Sequence, residues 1–147
     1  MIDNLPSWQM NGLDIDEVPI DSPYGYIYKV TYSDNTYYYG KKNFYNILKF
    51  PALKSGKQRP NSKRIGKNKN GKRVYFDEVQ KESNWKKYTG SNDIELPISK
   101  REILTFASSK RNLTYLEVKY LFKLDALEDS NCHNQNINGM WFKENLK

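Results

Sequence analysis

Tyr28 and Tyr38 lie ten residues apart, on either side of Ser33-Asp34-Asn35, and a strongly basic segment follows them. Phenols beside cations suit phosphate chemistry, because a hydroxyl can hold or deprotonate an attacking water while a cation neutralises charge on the phosphate. A free phenol with a pKa of about 10 is only ~0.1% ionised at neutral pH, so Tyr28 would need help to act as a base. Lysines or a metal ion nearby would lower that pKa.

The third group that could do chemistry is Glu117. On a helical wheel, Leu113, Leu116, Tyr120, Leu121 and Leu124 span an arc of about 140°, and Glu117 falls inside it. An acid facing inward must find a cation, a metal ion or strong hydrogen-bond donors, or else protonate. The competing role is local. Thr114-Tyr115-Leu116-Glu117 reads as a capping box, with Thr114 at the N-cap and Glu117 reaching back to its amide.

Charge is segregated. No Asp or Glu occurs from Asn35 to Phe76, whereas twelve Lys or Arg do; the rest of the chain nets −5 against an overall +7. Such a surface attracts polyanions, because each cation set near a phosphate releases condensed counterions. Nucleic acid is the expected partner, and a solvated basic loop is the plain alternative. Lys54, Lys57, Arg59, Lys63, Arg64, Lys67, Lys69, Lys72 and Arg73, preceded by Lys41, are the candidate backbone contacts. Exposed tyrosines beside these cations would also suit single-stranded nucleic acid, by base stacking.

At 147 residues the chain suits one domain. A single cysteine, Cys132, and a single histidine, His133, exclude a disulfide framework and a four-ligand zinc site within a monomer. This usage fits a reducing cytoplasm. No apolar run approaches the roughly 18–20 residues of a membrane span, and no signal peptide is expected.

The elements that must position these residues follow from periodicity. Met1 to Pro23, with five acids and no cation, reads as an irregular acidic arm, followed by a domain over residues 24–147. Tyr26, Tyr28, Val30 and Tyr32 alternate onto one face of a strand, and Thr36 to Tyr39 returns. A three-residue loop with Asn35 in the left-handed conformation sets Val30 opposite Tyr38, so Tyr28 and Tyr38 share a face. Asn43 to Leu48 reads as a short helix, Lys54 to Arg73 as a flexible basic loop, Lys100 to Ala107 as a third strand and Asn112 to about Asp129 as a helix. Trp85, Tyr88 and Gly90-Ser91 read as structural.

Tyr26-Ile27-Tyr28 with Tyr38-Tyr39-Gly40 resembles the paired motifs of the GIY-YIG endonuclease superfamily. Gly40-Lys41-Lys42-Asn43-Phe44, the run from Lys81 to Ser91, Arg101-Glu102-Ile103-Leu104 and Leu113-Thr114-Tyr115-Leu116-Glu117 are similar to its phage SegE-like branch, over roughly residues 24–138. The resemblance implies an α/β (α+β) fold with a small, mainly antiparallel three-stranded sheet flanked by helices. It also implies a phage-type DNA endonuclease using one divalent ion, Mg²⁺ or Mn²⁺. Carried over residue by residue, Tyr28 would be the general base, Tyr38 would position water and phosphate, Glu117 would hold the metal, and Asn134, or else Asn138, would complete the site. The family's arginine on the helix after the hairpin has no match in Ile47-Leu48-Lys49, so Lys42 or Lys49 is the candidate cation. A nucleic-acid-binding protein that keeps the fold with little or no cleavage is the alternative. Nothing in the chain decides between a monomer, a dimer and a partner protein that lends specificity.

Overall fold

The computed structural model describes residues 5–146. The start of the expected acidic arm, Met1 to Asn4, and the last residue, Lys147, lie outside the described residues. The chain forms two compact units, one built from residues up to Phe44 and from Asn84 onward, the other from Tyr45–Ser83.

The first unit holds a five-stranded sheet in the order β2-β1-β8-β3-β4. Its strands are β1 (Trp8–Met10), β2 (Leu13–Ile15), β3 (Gly25–Tyr32), β4 (Tyr37–Asn43) and β8 (Ile98–Ala107). All neighbours pair antiparallel except β1 and β8. The expected three strands are therefore β8, β3 and β4, and the extra two come from the segment read as irregular. Asn11 and Gly12, with φ of 53° and 81°, make the tight turn that folds Trp8–Met10 back on Leu13–Ile15. Trp8 then seals one end of the aromatic layer, its indole N–H donating to the Trp85 carbonyl at 2.7 Å.

One helix, α1 (Lys110–Lys123), packs on the sheet. Leu113 meets Ile27 and Ala107, while Leu121 joins Tyr39, Ala126 and Ile137. Odd-numbered side chains of β3 and β4 thus face the helix, and the even-numbered ones, Tyr26, Tyr28, Tyr38 and Lys42, face away. Instead of helices flanking the sheet, the described residues place α1 on one face and a loop carrying Trp85 on the other. A small hairpin of β9 (Asn136–Ile137) and β10 (Trp141–Phe142) follows the helix. No helix among the described residues is long and apolar enough to cross a membrane.

The second unit is a three-stranded antiparallel sheet in the order β5-β7-β6, with β5 Tyr45–Pro51, β6 Ser62–Lys69 and β7 Lys72–Glu82. Two expectations fail here. The helix over Asn43 to Leu48 is instead strand, because β7 supplies a long-range hydrogen-bonding partner to a segment rich in aromatic and β-branched residues. The flexible loop is largely β6 and the start of β7, joined by Asn70-Gly71 in the left-handed region at φ of 50° and 76°. Lys49, on β5, therefore belongs to a different sheet from the phenols.

Asp77, with no solvent exposure, organises this unit. Its carboxylate accepts from Arg64 Nε at 2.6 Å and from Arg59 Nη1 and backbone N, each at 3.2 Å. The hydrogen bond from Arg64, then that from the Arg59 amide, hold its pKa below the usual carboxylate range. A depressed acid stabilises the fold fully above its unfolded pKa of about 3.9 and loses that contribution as pH falls through the folded value. Amide hydrogen exchange over Tyr45–Ser83, corrected for the intrinsic pH dependence of the chemical step, should therefore quicken below about pH 4. In Asp77→Ala it should already be fast at neutral pH, and unchanged protection in that variant would overturn this role.

Candidate active site

The β3–β4 turn sets the geometry. Asn35 takes φ 68°, its amide donates to the Tyr32 carbonyl at 2.9 Å, and Asp34 accepts from the Thr36 amide at 3.0 Å. The resulting register pairs Val30 with Tyr38 and Tyr28 with Gly40. Tyr28 and Tyr38 share one face, their ring centroids 6.3 Å apart. The three-residue loop thus acts as its sequence suggests.

Gly40 lets the inner phenol reach outward. Tyr28 sits one strand in from the edge, and its ring runs across Gly40 on edge strand β4. A Cβ built on Gly40 would lie 2.3 Å from the Tyr28 hydroxyl and 2.5 Å from its ring carbon Cζ. Gly40→Ala should therefore swing the phenol away and cost about 1–3 kcal/mol of stability. Thermal unfolding checks it, and an Ala variant as stable as wild type would show that Tyr28 does not need this passage.

A loop covers the same face. Trp85–Lys87 is a single 3₁₀ turn, and Tyr88 to Asn92 follows it across the phenols. Gly90, at φ 112°, brings its backbone close to the Tyr28 hydroxyl; a Cβ there would stand 3.5 Å from that oxygen. The Tyr88 ring packs edge-on to Tyr28 at 5.8 Å, and the Tyr88 hydroxyl bonds to Ser91 Oγ. Tyr38 donates to the Ser91 carbonyl at 3.4 Å. Lys42 lays its ammonium 4.3 Å from the Tyr88 ring centroid, and burial lowers its pKa.

Arg101 ties this loop down, a role sequence reasoning missed. It is 3% exposed; Nη1 donates to the Tyr88 carbonyl at 2.9 Å and Nε to Pro6 at 2.7 Å, while the guanidinium stacks on Trp8 at 4.7 Å. The signal was available: Arg101 and Ile103 alternate onto the inward face of β8, where a cation must find acceptors.

Burial sets the ionisation of both phenols. Tyr28 is fully buried, and its hydroxyl, although Tyr88 and the Ser91 backbone lie close, has no partner in hydrogen-bonding geometry. Desolvation, then the neighbouring Tyr88, pushes its pKa well above the ordinary tyrosine value. Tyr38 is pushed up to about 12 by burial and, next, by the charge of Glu117. The expected lowering by cations does not offset desolvation in this arrangement, and both groups are neutral phenols at neutral pH.

Glu117 approaches from the helix side of β4. The N-cap of α1 is Ser109, which accepts from the Asn112 amide at 3.0 Å, so Thr114 lies within the helix and the capping-box role falls away. Thr114 Oγ1 accepts from Lys41 Nζ at 3.0 Å, and that ammonium stands 3.9 Å from Glu117 Oε1. Burial raises the Glu117 pKa, and Lys41 only partly opposes the shift. Lys41 is thus the partner of Glu117.

Asn134 is committed elsewhere. It is 5% exposed, its Oδ1 accepting from the Tyr39 amide and its Nδ2 donating to the Tyr39 carbonyl, both at 2.9 Å. It clamps the free edge of β4 beside Gly40. Asn138 is exposed in the β9–β10 turn at φ 54°. Among the described residues, no three His, Cys, Asp or Glu side chains gather about one point. Glu117 is thus a lone carboxylate at the edge of β4.

The family model described as "Putative endonuclease segE, GIY-YIG domain" matches residues 8–146. The chain belongs to the SegE GIY-YIG endonuclease family. No curated protein and no solved structure matches it. The match takes in β1 and β2, so the Trp8 hairpin lies within the GIY-YIG domain. It also spans the second unit, Tyr45–Ser83, which follows the Tyr38-Tyr39-Gly40 motif directly.

Proposed function

We infer that the chain is an endonuclease that hydrolyses phosphodiester bonds of double-stranded DNA with one divalent ion, Mg²⁺ or Mn²⁺. One observation carries this: a fully buried phenol with no hydrogen-bond partner runs across a glycine to the strand edge, where the charge of Glu117 is felt by Tyr38. A buried hydroxyl left unpaired costs stability; the Tyr26 hydroxyl and the Trp85 indole nitrogen are unpaired too, and the passage over Gly40 to the strand edge is what singles out Tyr28.

The donor set suits a hard cation that keeps most of its water. Glu117 is a single half-buried carboxylate whose pKa burial raises against the nearby Lys41, and Mg²⁺ is commonly held by one or two carboxylates. When bound there, such an ion would stabilise charge on the scissile phosphate and the leaving oxygen. Lys41 holds the Glu117 carboxylate in place. The neutral Tyr38 phenol donates a hydrogen bond that orients water or a phosphate oxygen. Tyr28 accepts the proton of the attacking water at its hydroxyl oxygen as its own proton passes to a non-bridging oxygen of the substrate phosphate, so no free phenolate need accumulate. Lys42 supplies the positive charge the family draws from arginine, as a point charge without the forked contact. A single site of this kind cuts one strand, so cutting both takes a second copy or a second event.

Relaxation of supercoiled plasmid with Mg²⁺ or Mn²⁺ tests the proposal. Nicking that disappears on chelation is the expected result; intact plasmid with every divalent ion, alongside salt-dependent DNA binding, would establish the second reading. That reading is a nucleic-acid-binding protein with little or no cleavage, and what favours it is the closure of Tyr88 and Gly90 over the Tyr28 hydroxyl.

A further inference from the structure

The basic segment, uniform in sequence, is divided by the second unit's sheet into two chemically different faces. Register places Lys49, Lys63, Lys67, Lys69 and Lys72 on one face with Phe76. All five lysines are exposed. Glu78 and Glu82 are the acids on that face, so cations exceed carboxylates five to two. On the opposite face Asp77 consumes the charge of two arginines, while Arg73 stacks on Tyr75 and Lys81 is exposed. Arg59 and Arg64 are bound to Asp77 and to the Pro51 and Lys57 carbonyls, and Arg59 stacks on Phe50 at 5.1 Å.

The lysine face also has a recess. A groove of about 400 Å³ is lined by Lys49, Pro51, Lys67, Asn68, Lys69 and Phe76. Lys49 and Lys67 come from the two outer strands and meet above it, where the nearness of Lys49 lowers the Lys67 pKa. Two ammonium groups held together over an apolar floor repel each other; Glu78, cross-strand from Lys49, offsets part of that repulsion, and an anion between them would offset more.

We propose that this lysine face seats the sugar-phosphate backbone of duplex DNA, with one phosphate between Lys49 and Lys67 above Phe76, while Arg59 and Arg64 serve the fold alone. The proposal rests on the nuclease reading for its ligand and adds where the duplex lies. It removes two arginines from the expected contact set and brings in Lys49 as a binding group.

Duplex affinity measured by fluorescence anisotropy across a salt series tests it. Each phosphate contact contributes about 0.9 to the slope of log K against log salt. Lys67→Ala should lower the slope by about 0.9, and Lys49→Ala/Lys67→Ala by about 1.8, with affinity falling on the order of tens of fold near 0.1 M salt. Lys81→Ala, on the other face of β7, should leave both unchanged, and Lys49→Arg/Lys67→Arg should keep the wild-type slope. Equal slope changes for Lys67→Ala and Lys81→Ala would overturn the seat in favour of diffuse attraction, as would tighter binding to duplex RNA. Should Lys49→Ala/Lys67→Ala bind and nick as wild type does, the seat is lost and the nuclease stands.

Discussion

Tyr28→Phe is expected to abolish cleavage and to raise the unfolding temperature. The two effects share one cause. The hydroxyl it removes is fully buried and unpaired, and such a group costs about 1–3 kcal/mol. Every ring contact with Trp8, Tyr38 and Tyr88 survives the change. A gain near 1 kcal/mol corresponds to roughly 2–4 °C for a chain of this size. If the same oxygen takes the proton of the attacking water, the rate should fall by on the order of 10²–10⁴. Paired measurement of plasmid nicking and thermal unfolding decides the matter. A variant that cuts like wild type would remove Tyr28 from the chemistry, and one that unfolds several degrees earlier would mean that the hydroxyl supports the fold.

Glu117→Gln should lower cleavage by on the order of 10²–10³ while leaving duplex binding intact. Its pH behaviour gives an independent check. The working form is the carboxylate, and burial raises the pKa, so wild-type cleavage should fall on acidification at a higher pH than an exposed glutamate at about 4.3 would dictate. The stability linkage runs the other way. An acid with a raised folded pKa favours the folded state below its unfolded pKa and loses that advantage as pH rises through the folded value. Glu117→Gln should accordingly be at least as stable as wild type at neutral pH. Mg²⁺ should raise the unfolding temperature of wild type but not of the variant, a readout that needs no turnover. Cleavage retained in Glu117→Gln, with the same Mg²⁺ stabilisation, would place the metal elsewhere.

Much of the site was legible in sequence because it depends on local geometry. The alternation of Tyr26, Tyr28, Val30 and Tyr32, with a loop ending in Asn35, determines that Tyr28 and Tyr38 share a face, whatever the rest of the chain does. Three Asn-Gly pairs, Asn11-Gly12, Asn70-Gly71 and Asn138-Gly139, all lie in the left-handed region between paired strands. Only local chemistry was needed to read them as tight turns. The first two mark the hairpins that were expected to be an irregular arm and a flexible loop. There, composition drew attention away from the turn signal, since lysine-rich and acidic stretches suggest solvated coil.

Other features depend on residues distant in sequence. Glu117 faces inward by periodicity, but its release from capping and its pairing with Lys41 depend on where α1 begins and on which strand lies at the sheet edge. The desolvation of Tyr28 comes from Trp8, from Gly40 and from the loop carrying Tyr88 and Gly90, contributed by three separate segments. The pairing of Arg59 and Arg64 with Asp77, opposite a face of exposed lysines, follows from the pairing of β5 and β6 with β7. Residue types and short-range spacing thus determined the family motifs, the shared face and the polyanion-binding charge. Tertiary structure alone decided which charges stay available and which phenol is sealed, because burial and pairing are set by neighbours that only folding brings together.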